Sequence, residues 1–220
     1  AVEKVVNEVI GKSLLSKDSV FVDMSSTKYE SAKLFYSNLK KINVHFMDAP
    51  VSGGPEGAKS ASLAIMAGGD VDVFEKIKEI LKTMGNPTLV GPAGSGQVAK
   101  LCNQIIVGVT IGAVAEAVIL CEQVGANPEN FIKAVAGGFA DSKILQNHGA
   151  RMIKKDFAPR GKSITHLKDM DNILKCAKDA NITLPISKLI QSMYQNIVDR
   201  GQGNDDHSAL YKEILEQNKK

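Results

Sequence analysis

The sequence predicts an α/β layer over residues 1–93 followed by an all-helical region over residues 94–220. Three observations carry this. Short β-rich apolar runs alternate with amphipathic helical stretches up to residue 91. The breaker cluster GPAGSGQ, residues 91–97, then interrupts the chain. After it no good strand pattern recurs, and residues 96–124 are apolar on most sides.

Taken in order, Val2, Val5, Val6, Val9 and Ile10 recur at helical spacing, so a helix opens the chain. SVFVDMSS is compact and apolar, as a buried parallel strand would be, and ends in a polar turn. Residues 28–41 are helical, with Ala32, Leu34, Phe35 and Leu39 apolar among polar neighbours. NVHFMDAP is a strand ending at Pro50, and LAIMAGG is a third strand. DVDVFEKIKEILKTMG is an amphipathic helix with Asp at its start and Gly85 as its stop. PTLVG is a fourth strand. Alternation of this kind implies a sheet built with crossovers. At 1.5 Å per residue the helix over 96–124 is about 40 Å long, and neighbours must bury it. Helices follow at about 128–137, 141–154, 163–180 and 185–200.

Bulk properties narrow the function. Lys and Arg exceed Asp and Glu by 27 to 24, a net charge of +3. That is too mild for a nucleic-acid partner but suits a small anionic substrate. Cys102, Cys121 and Cys176 have no CxxC spacing, so they read as small buried hydrophobes in a reducing, cytoplasmic setting. The first residues do not read as a signal peptide. The stretch from Ile105 to Cys121, interrupted by Glu116, falls short of a membrane span. His45, His148, His166 and His207 show no HxxxH or HExxH spacing, so no metal site is expected.

Three segments can carry chemistry. Val51–Gly54, VSGG, offers backbone N–H groups and a hydroxyl that can cradle a carboxylate or phosphate, or it is a plain strand-to-loop turn. GSGQVAKLCNQ puts Lys100 about one turn into the long helix with Gln104 on the same face. The positive end of the helix dipole and partial desolvation would lower the pKa of such a lysine, so that it can exchange a proton with a substrate oxygen. The other reading is a solvated lysine. HLKDMDN, with Lys168, and GQGNDDHSAL read as a charged helix face and as a loop with an N-cap.

Together these segments resemble the β-hydroxyacid dehydrogenase family, which includes 3-hydroxyisobutyrate dehydrogenase-like enzymes. DAPVSGG followed by GAxxxxLxxMxGG is similar to its substrate-binding signature, and Gly94–Lys100, GSGQVAK, to its catalytic GxGxxxK signature. VDMSS, LKD at 167–169 and DHSAL at 206–210 fall in the family's order, over essentially the whole chain. AGGFADSKILQNHGARMI and Asn103-Gln104 resemble the branch that reduces tartronate semialdehyde to glycerate.

The resemblance implies the C-terminal part of a Rossmann-type dinucleotide-binding domain over 1–93. A helical domain for substrate and dimerisation follows over 94–220, with one long central helix. It implies NAD or NADP as cofactor, a small semialdehyde or hydroxyacid substrate, and a homodimer or homotetramer. It makes Lys100 the general acid, places Ser52, Gly53, Gly54, Asn103, Gln104 and Asp206 at the substrate, and places Ser26 and Lys168 at the cofactor. Gln104 stands where many relatives have Asn, and Ala61 where relatives usually have Gly. Relatives open with a strand and a GxGxxG turn, so the 220 residues are expected to start roughly 70 residues into the family pattern. The 220 residues alone are accordingly expected to bind cofactor weakly. Rival expectations are 3-hydroxyisobutyrate dehydrogenase, a glyoxylate or succinic semialdehyde reductase, or a catalytically inactive dimerising fragment.

Overall fold

The computed structural model describes residues 2–12 and 14–219. The chain divides into two compact units, Ala1–Asn103 and Gln104–Lys220.

The first unit is a mixed sheet flanked by helices. In chain order it contains α1 (Val2–Gly11), β1 (Val20–Asp23), α2 (Tyr29–Lys40), β2 (His45–Asp48), β3 (Val51–Ser52), α3 (Gly54–Lys59), β4 (Leu63–Gly69), α4 (Val71–Lys82), β5 (Gly85–Gly91) and the start of α5 (Ser95–Gln123). β1 pairs with β2, and β4 with β5, in parallel. β4 runs antiparallel to both β2 and β3. The sheet is therefore less uniformly parallel than alternation alone implies. Met47 and Asp48 face Gly69 and Gly68, and Val51 and Ser52 face Ile65 and Ala64. The register is continuous from β2 into β3, and Met66 N–H donates to the Pro50 carbonyl between them at 3.0 Å. β2 and β3 are thus one strand, interrupted where Pro50 lacks an N–H.

The VSGG segment is accordingly not an open loop. Val51 and Ser52 extend the strand, and after Gly53 the chain makes the short helix α3 before returning in β4.

Alternation along β2 sends neighbouring side chains to opposite faces. Phe46 packs with Val6, Ala32, Phe35, Leu39 and Val44 of one cluster. Met47 packs with Leu63, Ile65, Ala67, Val73, Phe74, Ile77 and Leu81 of another.

The second unit is all-helical. α5 is followed by α6 (Pro128–Val135), a π-helical turn (Leu145–Gly149), α7 (Ala150–Ile153), α8 (Ser163–Asp179), α9 (Pro185–Asp199), a 3₁₀ turn (His207–Ala209) and α10 (Leu210–Gln217). The helix expected over 141–154 is broken by the π turn. Its wider winding brings Leu145, His148 and Gly149 all to the buried side. The closing helix α10 carries the apolar restart after DHSAL, burying Leu210, Tyr211 and Ile214.

By length and composition α5 is apolar enough to cross a membrane, contrary to expectation. Here Ile111, Val114, Ala115, Val118 and Ile119 are buried in the helical unit. Gly108 lets the His166 ring and Ile190 approach its backbone. The three cysteines are free, but Cys102 is exposed and the others are half-buried, so none is the fully buried hydrophobe expected.

Gly85 pairs with Leu63, and a Cβ on it would lie 2.0 Å from the Leu63 carbonyl oxygen. Gly85→Ala must therefore separate β4 from β5. It should lower unfolding stability by about 3 kcal/mol or more in urea titration. Gly11→Ala, with open space around the site, should change it by less than about 1 kcal/mol.

Candidate functional site

The first turn of α5 is held from three sides within the α/β unit. Asp48, at the end of β2, is fully buried, and its carboxylate accepts from Gly94 N–H at 2.7 Å and from Gln97 N–H at 2.8 Å. It thereby satisfies two of the unpaired donors at a helix start, as an N-cap side chain would. Burial pushes the Asp48 carboxyl above its usual range, the two N–H groups pull it back, and the nearby Asp23 carboxylate adds to the rise.

Gly96 is where the turn lies flat on the sheet. A Cβ there would sit 2.3 Å from the Met66 carbonyl oxygen and 2.8 Å from that of Asp48. In the GxGxxxK pattern this glycine therefore serves close packing.

From the other side, the buried Gln97 amide grips the turn after β1. Thr27 N–H donates to Oε1 at 2.9 Å, and Nε2 donates to the Ser25 carbonyl at 2.8 Å. Asp23 holds the same turn from below, accepting from Ser25 N–H at 3.0 Å. Ser26 is the exposed residue between these anchors. Lys100 follows one turn further along α5 and is half-buried. Ser52 is half-buried at the end of β3, with Gly53 and Gly54 exposed beside it and both at positive φ, +142° and +65°.

In the helical unit, Gln104 Nε2 donates to Asp169 Oδ2 at 2.7 Å, and Lys168 Nζ lies 3.2 Å from Asp169 Oδ1. Two candidates, Gln104 and Lys168, thus meet at one carboxylate that sequence reasoning had not singled out. Asn103 is half-buried on α5.

Asp206 lies in a different cluster. It is wholly buried and accepts from Ser208 Oγ at 2.6 Å, Ser208 N–H at 3.1 Å, Gly161 N–H at 3.1 Å and Arg151 at 3.3 Å. Burial alone would raise its pKa, but Ser208, Gly161 and His207 hold it below the usual range. Its oxygens are occupied by the protein itself.

Beside it the fold gathers histidines that are far apart in sequence. His148 Nε2 and His207 Nε2 are 2.8 Å apart, sharing a hydrogen, and the His166 ring stacks edge-on against His207 at 5.5 Å. Ligand-type atoms of His148, Asp206 and His207 lie within 4.8 Å of one another, a spacing that a metal ion could use. The occupied Asp206 oxygens, the adjacent Arg151 cation and the imidazole–imidazole bond all compete with such an ion.

Burial and the neighbouring imidazole and Arg151 charges, with Asp206 opposing, lower the pKa of His148 to about 4. Burial and His166, again against Asp206, do the same for His207. The unfolded chain therefore binds more protons between about pH 6.5 and 4. Stability should be full above that window and fall by about 3 kcal/mol or more across it as both rings are forced to charge. Urea titrations from pH 7.5 to 4.5 measure this, and His148→Gln should flatten the profile.

Comparison with known proteins places the chain. A family model described as NAD-binding of NADP-dependent 3-hydroxyisobutyrate dehydrogenase matches residues 94–214, and one described as the NAD binding domain of 6-phosphogluconate dehydrogenase matches residues 1–94. The 2-hydroxy-3-oxopropionate reductase of Escherichia coli K12 is 41% identical over 199 residues, 90% of this chain and 68% of that protein. The mitochondrial 3-hydroxyisobutyrate dehydrogenase of Drosophila melanogaster is 31% identical, over 90% of this chain and 63% of that protein. The crystal structure of 3-hydroxyisobutyrate dehydrogenase from Salmonella typhimurium superposes with a TM-score of 0.85 at 26% identity, covering 95% of this chain and 75% of that one. With both halves matched and the α/β-plus-helical fold shared, the chain belongs to the 3-hydroxyisobutyrate dehydrogenase-like family of NAD(P)-dependent β-hydroxyacid dehydrogenases.

Proposed function

We propose that the protein reduces tartronate semialdehyde (2-hydroxy-3-oxopropionate) to glycerate, with Lys100 as general acid. The observation that carries this reading is the 41% identity to 2-hydroxy-3-oxopropionate reductase over 90% of the chain.

The nicotinamide end of the cofactor fits the exposed Ser26 turn. That turn lies at the carboxyl end of β1, whose parallel neighbour is β2, the usual ligand edge of an open α/β sheet. When bound, the reduced nicotinamide supplies a hydride to the carbonyl carbon. Lys100, as the ammonium, gives its proton to the carbonyl oxygen, so the aldehyde becomes a primary alcohol; in reverse the neutral amine takes that proton back. The positive end of α5 favours release of the proton. Ser52 and the backbone of Gly53 and Gly54 take the substrate carboxylate. Asn103 and Gln104 hold the substrate through their amides, Gln104 with its orientation set by Asp169. Lys168 serves the cofactor, and Asp206 shapes the helical end of the substrate site from within.

A second reading is 3-hydroxyisobutyrate oxidation, favoured by the description of the family model over residues 94–214. The semialdehydes of the two reactions differ at C2, a hydroxyl in one and a methyl in the other. NAD(P)H-oxidation assays with semialdehydes of both kinds separate them.

In such assays of the full enzyme, Lys100→Ala should lower kcat by about a hundredfold or more while cofactor affinity is kept. A variant that keeps most of its kcat overturns the assignment. Self-association is expected as well. α5 leaves Ile106 and Leu120 exposed, and α9 leaves Ile186 and Leu189 exposed, an apolar surface suited to a second copy. Sedimentation should show a dimer or tetramer at micromolar concentration, and a compact monomer would refute this.

A further inference from the structure

We propose that Gln97 is the positioning residue that sets the Ser25–Thr27 turn against the helix carrying Lys100. The inference rests on the reading above, in which Ser26 borders the nicotinamide and Lys100 donates the proton. It adds a residue to which neither role had been given.

The Gln97 amide makes two bonds, one to each side of Ser26: its Oε1 accepts from Thr27 N–H at 2.9 Å and its Nε2 donates to the Ser25 carbonyl at 2.8 Å. A planar amide bound this way matches one donor and one acceptor of the backbone, which fixes both the distance and the tilt of the turn. Gln97 is 1% exposed, so its amide is shielded from water, and losing either bond strands one of its polar atoms.

The residue is itself immobilised. Its own N–H donates to Asp48 Oδ2 at 2.8 Å, tying its backbone to the end of β2 while its side chain reaches the turn after β1. Asp23 anchors the same turn through Ser25 N–H and, at 3.4 Å, the Thr27 hydroxyl. Both flanks of the exposed Ser26 are thus held, at Ser25 and at the half-buried Thr27. Lys100 lies three residues beyond Gln97, so helical periodicity carries both side chains on neighbouring positions of one face.

Simple filling of space would need no amide here, since methionine has similar length and volume. The pair of directional bonds instead sets where the turn stands relative to the helix. Hydride and proton must reach adjacent atoms of one carbonyl group, and small displacements between their carriers are costly to the rate.

Two variants of the full enzyme test this. Gln97→Met keeps the length and removes both bonds. It should lower kcat by about tenfold or more and raise the cofactor KM several-fold, with the semialdehyde KM changed by less than about twofold. Gln97→Glu distinguishes bonding from packing. As a carboxylate it can accept from Thr27 N–H but repels the Ser25 carbonyl. When protonated it offers a carbonyl to one and an O–H to the other, as glutamine does. Its activity relative to the unaltered enzyme should therefore rise as pH falls.

Gln97→Met with kcat and cofactor KM both within twofold of the unaltered enzyme overturns the proposal. So does a Gln97→Glu ratio that is flat with pH, which decides alone if Gln97→Met fails to fold. NADH fluorescence titration reads the cofactor effect without turnover, whatever the true substrate. Failure of the functional reading shows separately, as full activity in Lys100→Ala.

Discussion

The carboxylate of Asp48 is the constraint on which the α/β unit turns. It is buried, yet it accepts the N–H groups of Gly94 and Gln97 and so fixes the first turn of a 29-residue helix to the end of a central strand. A helix start left without such a partner inside a protein is costly. Meeting that need with a side chain from β2 makes the strand end and the helix start one rigid piece. Gly96 and Gln97 follow from the same demand. The turn must lie against the backbone of Met66 and Asp48, and its one buried amide then reaches the neighbouring turn. That is also why the first compact unit runs on into α5: the opening turns of the helix belong mechanically to the sheet.

The helical unit solves a different problem. α5 continues as its spine, with one side buried and another exposed. Its polar interior is concentrated around Asp206, where Ser208, Gly161 and Arg151 satisfy a wholly buried carboxylate and the His148–His207 pair closes the space beside it. These bonds tie α7, the α8 start and the 3₁₀ turn to one another through Asp206, and the His148–His207 contact adds the π turn. The unit's acid sensitivity follows directly, since neutral rings fit where charged ones do not.

Much of this was legible in the sequence, and the gaps have physical causes. The strand–helix alternation and the long apolar helix are written in periodicity, which depends only on local spacing. Glycine-rich GSGQVAK announced itself as a special turn, but spacing alone could not say that Gly96 serves packing and Gln97 a cross-link, because their partners lie 30 to 72 residues away. The histidines show the same limit. Separated by 59 positions, His148 and His207 have no local pattern, and only tertiary folding places them 2.8 Å apart. Val51 and Ser52 were hidden for a local reason: Pro50 breaks the apparent strand in composition while leaving its register intact. The Ser52, Lys100 and Ser26 candidates came from the family signatures around them; Asp169 lies in the LKD segment, but its bond to Gln104, 65 positions away, left no local pattern.

The unbroken register through Pro50 also bears on how this segment can change over time. Asp48 and Ser52 are four residues apart on one strand, and side chains alternate with a period of two, so both belong to the same side of the sheet. Adding or deleting one residue between them would turn one of the pair to the opposite face, parting the helix anchor Asp48 from Ser52. The short distance from Asp48 to Ser52 is thus closed to changes in length. The exposed stretch Ser60–Ser62, after α3, faces no such parity and is where the chain can absorb variation.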